Sequence, residues 1–195
     1  AEQSSRNWGW CRQMNRDQRE LGLATRSLEL WDDIQAETGE DLGFSRCGLL
    51  YLSDNESELK GWADWCAWAK GEGVKTEVLT SDQATQRAKA SAKPWRGGIV
   101  SPTDGVADPS AAAPGIARAV QAHGGTIHQF CAARGVERRA SAISGVVTEQ
   151  GTIETPRVVL AGGAWASSFC RQMGISMPQS AVRSSILSVA LGATT

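Results

Sequence analysis

Between residues 17 and 38 the apolar positions Leu21, Leu28, Leu30, Trp31 and Ile34 recur at helical spacing, with charges between them and Gly39 as a stop. This spacing predicts one long helix that packs by one face. Residues 43–52 (GFSRCGLLYL) are rich in Leu and aromatic side chains and end in the polar turn Ser53-Asp54-Asn55, which predicts a strand. A second helix is predicted over 56–70. It carries Leu59, Trp62, Cys66 and Ala69 on one face, Trp65 and Trp68 widen that face, and Gly71 and Gly73 close it. A tryptophan stripe of this kind reads as core or interface packing, with a ligand platform as the other reading.

Strands predicted at 75–79 and 97–101 flank a short helix that Thr80-Ser81-Asp82 caps and that runs to about residue 90. Asp108-Pro109 then opens a helix that Gly124-Gly125 ends, and Pro114 inside it should kink the axis or delay the regular start. Ile116, Val120 and His123 share a face, which makes His123 a helix-end residue near the edge of the core. Three β-like runs follow at 126–136, 142–149 and 157–161. The Val-Val-Leu of the last reads as a buried, parallel strand. A final strand is predicted at 185–191, and no repeat, linker or low-complexity segment interrupts the chain.

With 195 residues the chain has room for one large domain or two small ones and buries roughly 70% of the surface of its unfolded form. Its 20 basic residues against 21 acidic ones leave a net charge of −1. No basic field exists to attract nucleic acid, which is excluded as a partner. The most apolar run, 158–166, is far short of the ~20 residues that span a bilayer, and no secretion signal opens the chain. A soluble, cytoplasmic protein without a transmembrane segment is expected. Five scattered cysteines without a C-x-x-C pair, and only two histidines, argue for reduced structural thiols and against a zinc site.

Candidate chemistry concentrates in two stretches. In TPRVVLAGGAWA (155–166) the glycines let a strand turn sharply into a helix near Ala164; helix starts at strand ends favour phosphate, while the same Gly-Gly pair also serves as a bare tight turn. In the opening AEQSSRNWGW, the hydroxyl, guanidinium and amide groups of Ser4, Ser5, Arg6 and Asn7 stand beside Gly9 and the flat indoles of Trp8 and Trp10. Those types suit a large planar cofactor bearing phosphate, or else a polar loop anchored by two tryptophans. In PTDGVADP (102–109), Asp104-Gly105 reads as a turn and Asp108 as a helix cap. Neither a Ser/His/Asp triad nor the phosphate-binding G-x-x-x-x-G-K is present.

Taken in order, SSRNWGW, GLLYL, the P-x-DG-x-x-DP turn with its helix, CAARGVE with SGVVTEQGTI, and VVLAGGAWAS resemble the FAD-dependent D-amino-acid oxidase and dehydrogenase family, across essentially the whole chain. The resemblance implies a mixed α/β fold: a partial FAD-binding Rossmann-like domain interleaved with a substrate domain of mixed, largely antiparallel sheet plus helices. It divides the chain into a flavin-side loop and long helix (1–42), part of the substrate domain (43–107), part of the FAD-binding domain (108–175) and the start of a return to the substrate domain (176–195). It implies FAD as cofactor and oxidation of the C–N bond of a small amine or amino acid to an imine, with hydride passing to the flavin. By the same resemblance Gln3, Ser4, Ser5, Asn7, Trp8 and Gly9 run along the flavin, Ala133 faces the adenine, and Ala161, Gly162, Gly163 and Trp165 form a second flavin-contacting turn. Arg6 is the candidate for electrostatic work in catalysis, and Arg183 for the substrate side.

The family's G-x-G-x-x-G turn and first β-α-β unit would precede SSRNWGW, where only Ala1-Glu2-Gln3 stand, and its closing substrate segment would follow Leu191. A central fragment of a larger enzyme is therefore expected, inactive alone and weak in holding FAD. The reading from another class is a non-catalytic binding or assembly module whose Trp62/Trp65/Trp68 helix meets a partner subunit that supplies the dinucleotide-binding half.

Overall fold

Three of the helices begin where a side chain accepts the first free backbone N–H groups. In the computed structural model, which describes residues 3–88, 91–183 and 185, Asn55 Oδ1 accepts from the N–H of Ser57 (2.9 Å) and Glu58 (3.3 Å) and opens α2 (Glu56–Gly71). Thr80 and Gln83 cap α3 (Ser81–Arg87) reciprocally. Asp108 accepts from the N–H of Ser110 at 2.7 Å with Pro109 in the first turn of α4 (Pro109–Ala122). The long helix α1 (Leu21–Thr38) follows a short 3-10 turn, Gln18–Glu20, and ends at Gly39 with φ +64°.

The chain divides into two compact units, Ala1–His123 and Gly124–Thr195. In the first, β2 (Leu49–Ser53), β3 (Glu77–Leu79) and β4 (Gly97–Ser101) form an antiparallel sheet in the order β2-β4-β3, with Tyr51 opposite Ile99. A two-residue ribbon joins β1 (Trp10–Cys11) to β5 (Gly105–Val106). The second unit holds the antiparallel sheet of β6 (Ala133–Arg139), β7 (Ala142–Thr148) and β8 (Gly151–Glu154), and α5 (Ala166–Gln172), which packs against β6. The mixed α/β class with antiparallel sheets is as expected.

The tryptophan helix is a packing element. Trp62 and Trp65 pack with Leu49 and Tyr51 around buried Met14, Cys66 and Ile99, while Trp65 and Trp68 cover Leu21, Ala69 and Val74. The indole N–H of Trp65 also donates to the carbonyl of Arg16 at 2.7 Å, so α2 grips the segment leading into α1.

Several expectations need correction. The run 157–161 is not a strand: it pairs with nothing among the described residues, and Val159 is 91% exposed. A strand needs neighbours for its backbone groups, and among the described residues β8 pairs only with β7. The strand expected at 126–136 starts only at Ala133, because the largely exposed run 126–132 has no partner strand among the described residues. That expected at 43–52 reduces to Leu49–Ser53 preceded by a single bridge, Ser45 to Val106. Helix α4 runs through Pro114 without a delayed start, and its buried face is Ala112, Gly115 and Ala119 rather than the Ile116/Val120/His123 face. Small residues there let the helix backbone approach its neighbours closely. The strand expected at 185–191 lies, beyond Ser185, outside the described residues. Among the described residues no helix is long and apolar enough to cross a membrane.

One buried carboxylate ties the entrance of the chain to the sheet. Asp104, fully inaccessible, accepts from the backbone N–H of Gln13 at 2.9 Å and of Met14 at 3.0 Å, while its own carbonyl accepts from Gly48 N–H at 2.8 Å. Next to it, Arg46 donates to the carbonyls of Thr103 and Leu28 and pairs with Asp32. Burial raises the Asp104 carboxyl above its ordinary value, opposed by the two N–H donors, the Ser101 hydroxyl and the Arg12 charge. Upstream, Gly9 adopts φ +71° and its carbonyl accepts from Ala107 N–H at 2.9 Å.

Two outcomes follow from these contacts. Asp104→Ala strands two buried N–H groups, and chemical denaturation should show a loss of about 3 kcal/mol. A raised native value means that the group's contribution is complete below the unfolded value of about 3.9 and falls as pH rises through the native value. The gap between wild type and Asp104→Ala should accordingly be widest in acid and narrow toward neutral pH. Gly9→Ala places a Cβ 2.0 Å from the Ala107 carbonyl oxygen at a left-handed φ, and thermal or chemical unfolding should report a loss of about 3 kcal/mol or more.

Candidate functional site

The opening loop is shaped by one side chain. Asn7 Nδ2 donates to the Ser4 carbonyl at 2.5 Å and Asn7 Oδ1 accepts from Gly9 N–H at 2.6 Å, which closes the loop onto itself around the 3-10 turn Ser4–Arg6. Gly9 hands the chain to Ala107, and the 3-10 turn rests against α4. The side chains of residues 3–8 therefore project from a fixed backbone, and all of them are exposed. Trp8 and Trp10 lie with ring centroids 4.6 Å apart, and Trp10 continues to Tyr51 and Tyr51 to Trp62 at 5.6 Å each.

This loop forms one wall of a cavity of about 370 Å³ in the first unit. Ser4, Asn7, Gly9 and Trp10 make that wall, Ala24, Ser27, Leu28 and Trp31 of α1 make the second, and Pro109, Ala112, Ala113 and Ile116 of α4 the third. The small residues of both helices leave the space open, and Trp31, stacked on Phe44 at 5.6 Å, stiffens one side. Arg12 and Arg16 are the charged groups that line it. Arg12 donates to the Met14 carbonyl at 2.5 Å and lies over the Tyr51 ring, and Arg16 approaches Glu20 at 3.7 Å while its buried Nε lacks a hydrogen-bond partner. Burial pushes the thiol of the wall residue Cys11 above its ordinary value.

Of the residues singled out from the sequence, Ser4, Asn7 and Gly9 line this cavity together. Gln3, Ser5, Arg6 and Trp8 belong to the same exposed loop but are not among its lining residues. Ala133, Ala161, Gly162, Gly163, Trp165 and Arg183 all lie in the second unit. There the turn is as expected in kind: Gly163 has φ +53° with no heavy atom within 4 Å of a Cβ position, a 3-10 turn Gly163–Trp165 follows, and α5 begins at Ala166. Trp165 is 54% exposed on it. Ala133 opens β6, and Arg183 is exposed beyond α5 in no regular element.

Sequence reasoning missed Arg12, Arg16 and Trp31 as cavity residues and Asp104 as the buried anchor. Arg12 follows Trp10 at a strand-like spacing of two, and Ala24, Ser27 and Trp31 share a helical face, so both signals were present. Nothing local marks a buried Asp; only the fold brings residues 13 and 104 together.

The donor set fits FAD. Flat indoles and small side chains suit a planar ring, hydroxyl and amide groups suit a polar linker, and two guanidiniums, one with an unsatisfied buried Nε, suit an anionic group. Among the described residues no group of three His, Cys, Asp or Glu is placed to hold a metal.

The family model described as FAD dependent oxidoreductase matches residues 1–194. The chain is 28% identical over 152 residues to mitochondrial sarcosine dehydrogenase of Mus musculus, covering 75% of this chain and 16% of that protein. It is 29% identical over 161 residues to 4-methylaminobutanoate oxidase (formaldehyde-forming) of Paenarthrobacter nicotinovorans, covering 80% and 19%. Among solved structures, L-amino acid deaminase from Proteus vulgaris superposes with a TM-score of 0.81 at 29% identity, covering 90% of this chain and 42% of that one. The chain thus spans less than half the length of these relatives. With a match along almost its entire length, and a fold shared with an amino-acid deaminase, this chain belongs to the family of FAD-dependent oxidoreductases.

Proposed function

We propose that this chain is part of an enzyme that oxidises the C–N bond of a small amine or amino acid to an imine, with FAD as the electron acceptor. The observation that carries the reading is the Asn7-closed loop, whose Ser4, Asn7 and Gly9 open onto a cavity with two arginines and no acid–base pair. The names of the relatives give sarcosine, 4-methylaminobutanoate and L-amino acids as what those proteins act on; only the shared class is carried over here.

FAD supplies the hydride acceptor, and the residues of this chain bind, orient and exclude water. Gln3, Ser4, Ser5, Asn7, Trp8, Gly9, Ala133, Ala161, Gly162, Gly163 and Trp165 would be the residues that hold the cofactor. Exposed hydroxyl and amide groups on residues 3–7 serve the polar linker, and the indoles serve the ring. The guanidiniums of Arg12 and Arg16, fixed charges on a wall of small side chains, favour an anionic cofactor and its reduced form. Arg6, on the loop, adds to that field, and Arg183 serves the substrate carboxylate. No side-chain base is needed for a neutral amine to lose hydride, in keeping with a cavity free of carboxylates.

The 195 residues contain no G-x-G-x-x-G turn, so tight binding requires that turn from elsewhere in the protein, and the isolated chain is inactive in this reading. The tryptophan helix packs into the cores of the first unit, which leaves the assembly-module reading without a free interface on that face.

The test is an FAD titration of the whole protein that carries this chain, followed by flavin fluorescence, for wild type and Asn7→Ala. Loss of the two Asn7 hydrogen bonds should weaken FAD binding about tenfold with the fold retained. A wild-type protein that takes up no FAD would end this assignment, and equal affinity in Asn7→Ala would remove the loop from it.

A further inference from the structure

After α5 the chain doubles back along the helix. Gly174, at φ +73°, reverses it, and Ile175 N–H donates to the Cys170 carbonyl at 2.9 Å. Met177 then seats its sulfur 3.9 Å from that of Cys170. Two residues later Gln179 reaches the start of the helix. Its Nε2 donates to the Gly163 carbonyl at 2.9 Å, and its Oε1 accepts from Ser167 N–H at 3.2 Å. The two partners, one an acceptor and one a donor, dictate which way the amide faces.

Neither Gly162 nor Trp165 supplies a side-chain cap to the turn or to α5. The missing cap comes instead from a residue that follows the helix. Packing does not do the same work: no heavy atom lies within 4 Å of the Cβ position at Gly163, and Trp165 is 54% exposed. An open glycine turn with a left-handed residue has many accessible conformations, and the Gln179 amide selects one.

We propose that Gln179 is a positioning residue for the cofactor: its paired hydrogen bonds hold the Gly162–Gly163 turn and the first turn of α5 in the geometry that receives FAD. The proposal rests on the reading that this turn faces the flavin. Holding the turn before binding spares the cofactor the ordering of a flexible segment.

The test uses the whole protein with Gln179→Met, which keeps length and removes both polar ends, and Gln179→Glu, which keeps the acceptor for Ser167 and sets a carboxylate against the Gly163 carbonyl. Gln179 is exposed, so the fold survives both changes. Three readouts are taken: the Kd for FAD, hydrogen exchange of the Ser167 amide in the FAD-free form, and the visible absorption bands of bound flavin. Gln179→Met should raise the Kd about tenfold, speed Ser167 exchange and shift the flavin bands. Gln179→Glu should bind as weakly while protecting Ser167 better than Gln179→Met. Faster exchange with unchanged Kd and spectrum would reduce Gln179 to a helix cap, and unchanged exchange would dismiss the latch itself. A wild-type protein without affinity for FAD would overturn the cofactor reading, and the positioning role with it, while a change in Ser167 exchange would still report the cap.

Discussion

The first unit depends on the carboxylate of Asp104. It is fully buried, and its oxygens accept the N–H groups of Gln13 and Met14. Those two residues form the joint between the exposed opening loop and the helix α1. Met14 in turn sits in the core against Cys66 and Ile99, where α2 and the sheet meet. A carboxylate in this place is stable only because donors come to both of its oxygens, and the donors are there only because the loop runs alongside β5. The seat of the loop, the cavity wall and the sheet therefore form one cooperative arrangement.

The opening loop shows how a short polar segment acquires a definite shape without a core of its own. Asn7 bonds at both ends of the turn, Gly9 permits an approach to Ala107 that any Cβ would block, and Trp8 and Trp10 pack against one another at a tilt. The aromatic contacts continue inward through Tyr51 to Trp62. Rigid backbone with exposed polar side chains is the arrangement that a large cofactor requires, since little ordering remains to be done on binding. In the second unit Gln179 bonds from downstream to the Gly163 carbonyl and the Ser167 N–H, on either side of the turn into α5.

Helix starts were legible in the sequence because their caps are local: Asn55, Thr80 and Asp108 each bond within three residues. The strand 97–101 was legible for the same reason, as a short apolar run bounded by turn residues. The run 157–161 was misread because a Val-Val-Leu sequence states only that burial would be favourable; it does not state what partner is present, and here Val159 stands exposed. The face of α4 was misread because alanine and glycine carry little hydropathic signal, although Ala112, Gly115 and Ala119 are the buried side. Of the candidate site, the loop chemistry was visible in residue types and Arg12 in its spacing from Trp10, whereas the anchor Asp104 depends on partners 91 and 90 residues away in the chain.

In the proposed function the opening loop and, taken by itself, the Gly162–Gly163 turn are the cofactor segments. Hydrogen exchange of the whole protein, compared with and without saturating FAD, tests this most directly, because it reads every backbone amide at once. FAD should slow exchange at residues 4–9 and 162–167 and leave the amides of α2 unchanged. Protection confined to other segments, with both of these exchanging as fast as before, would contradict it.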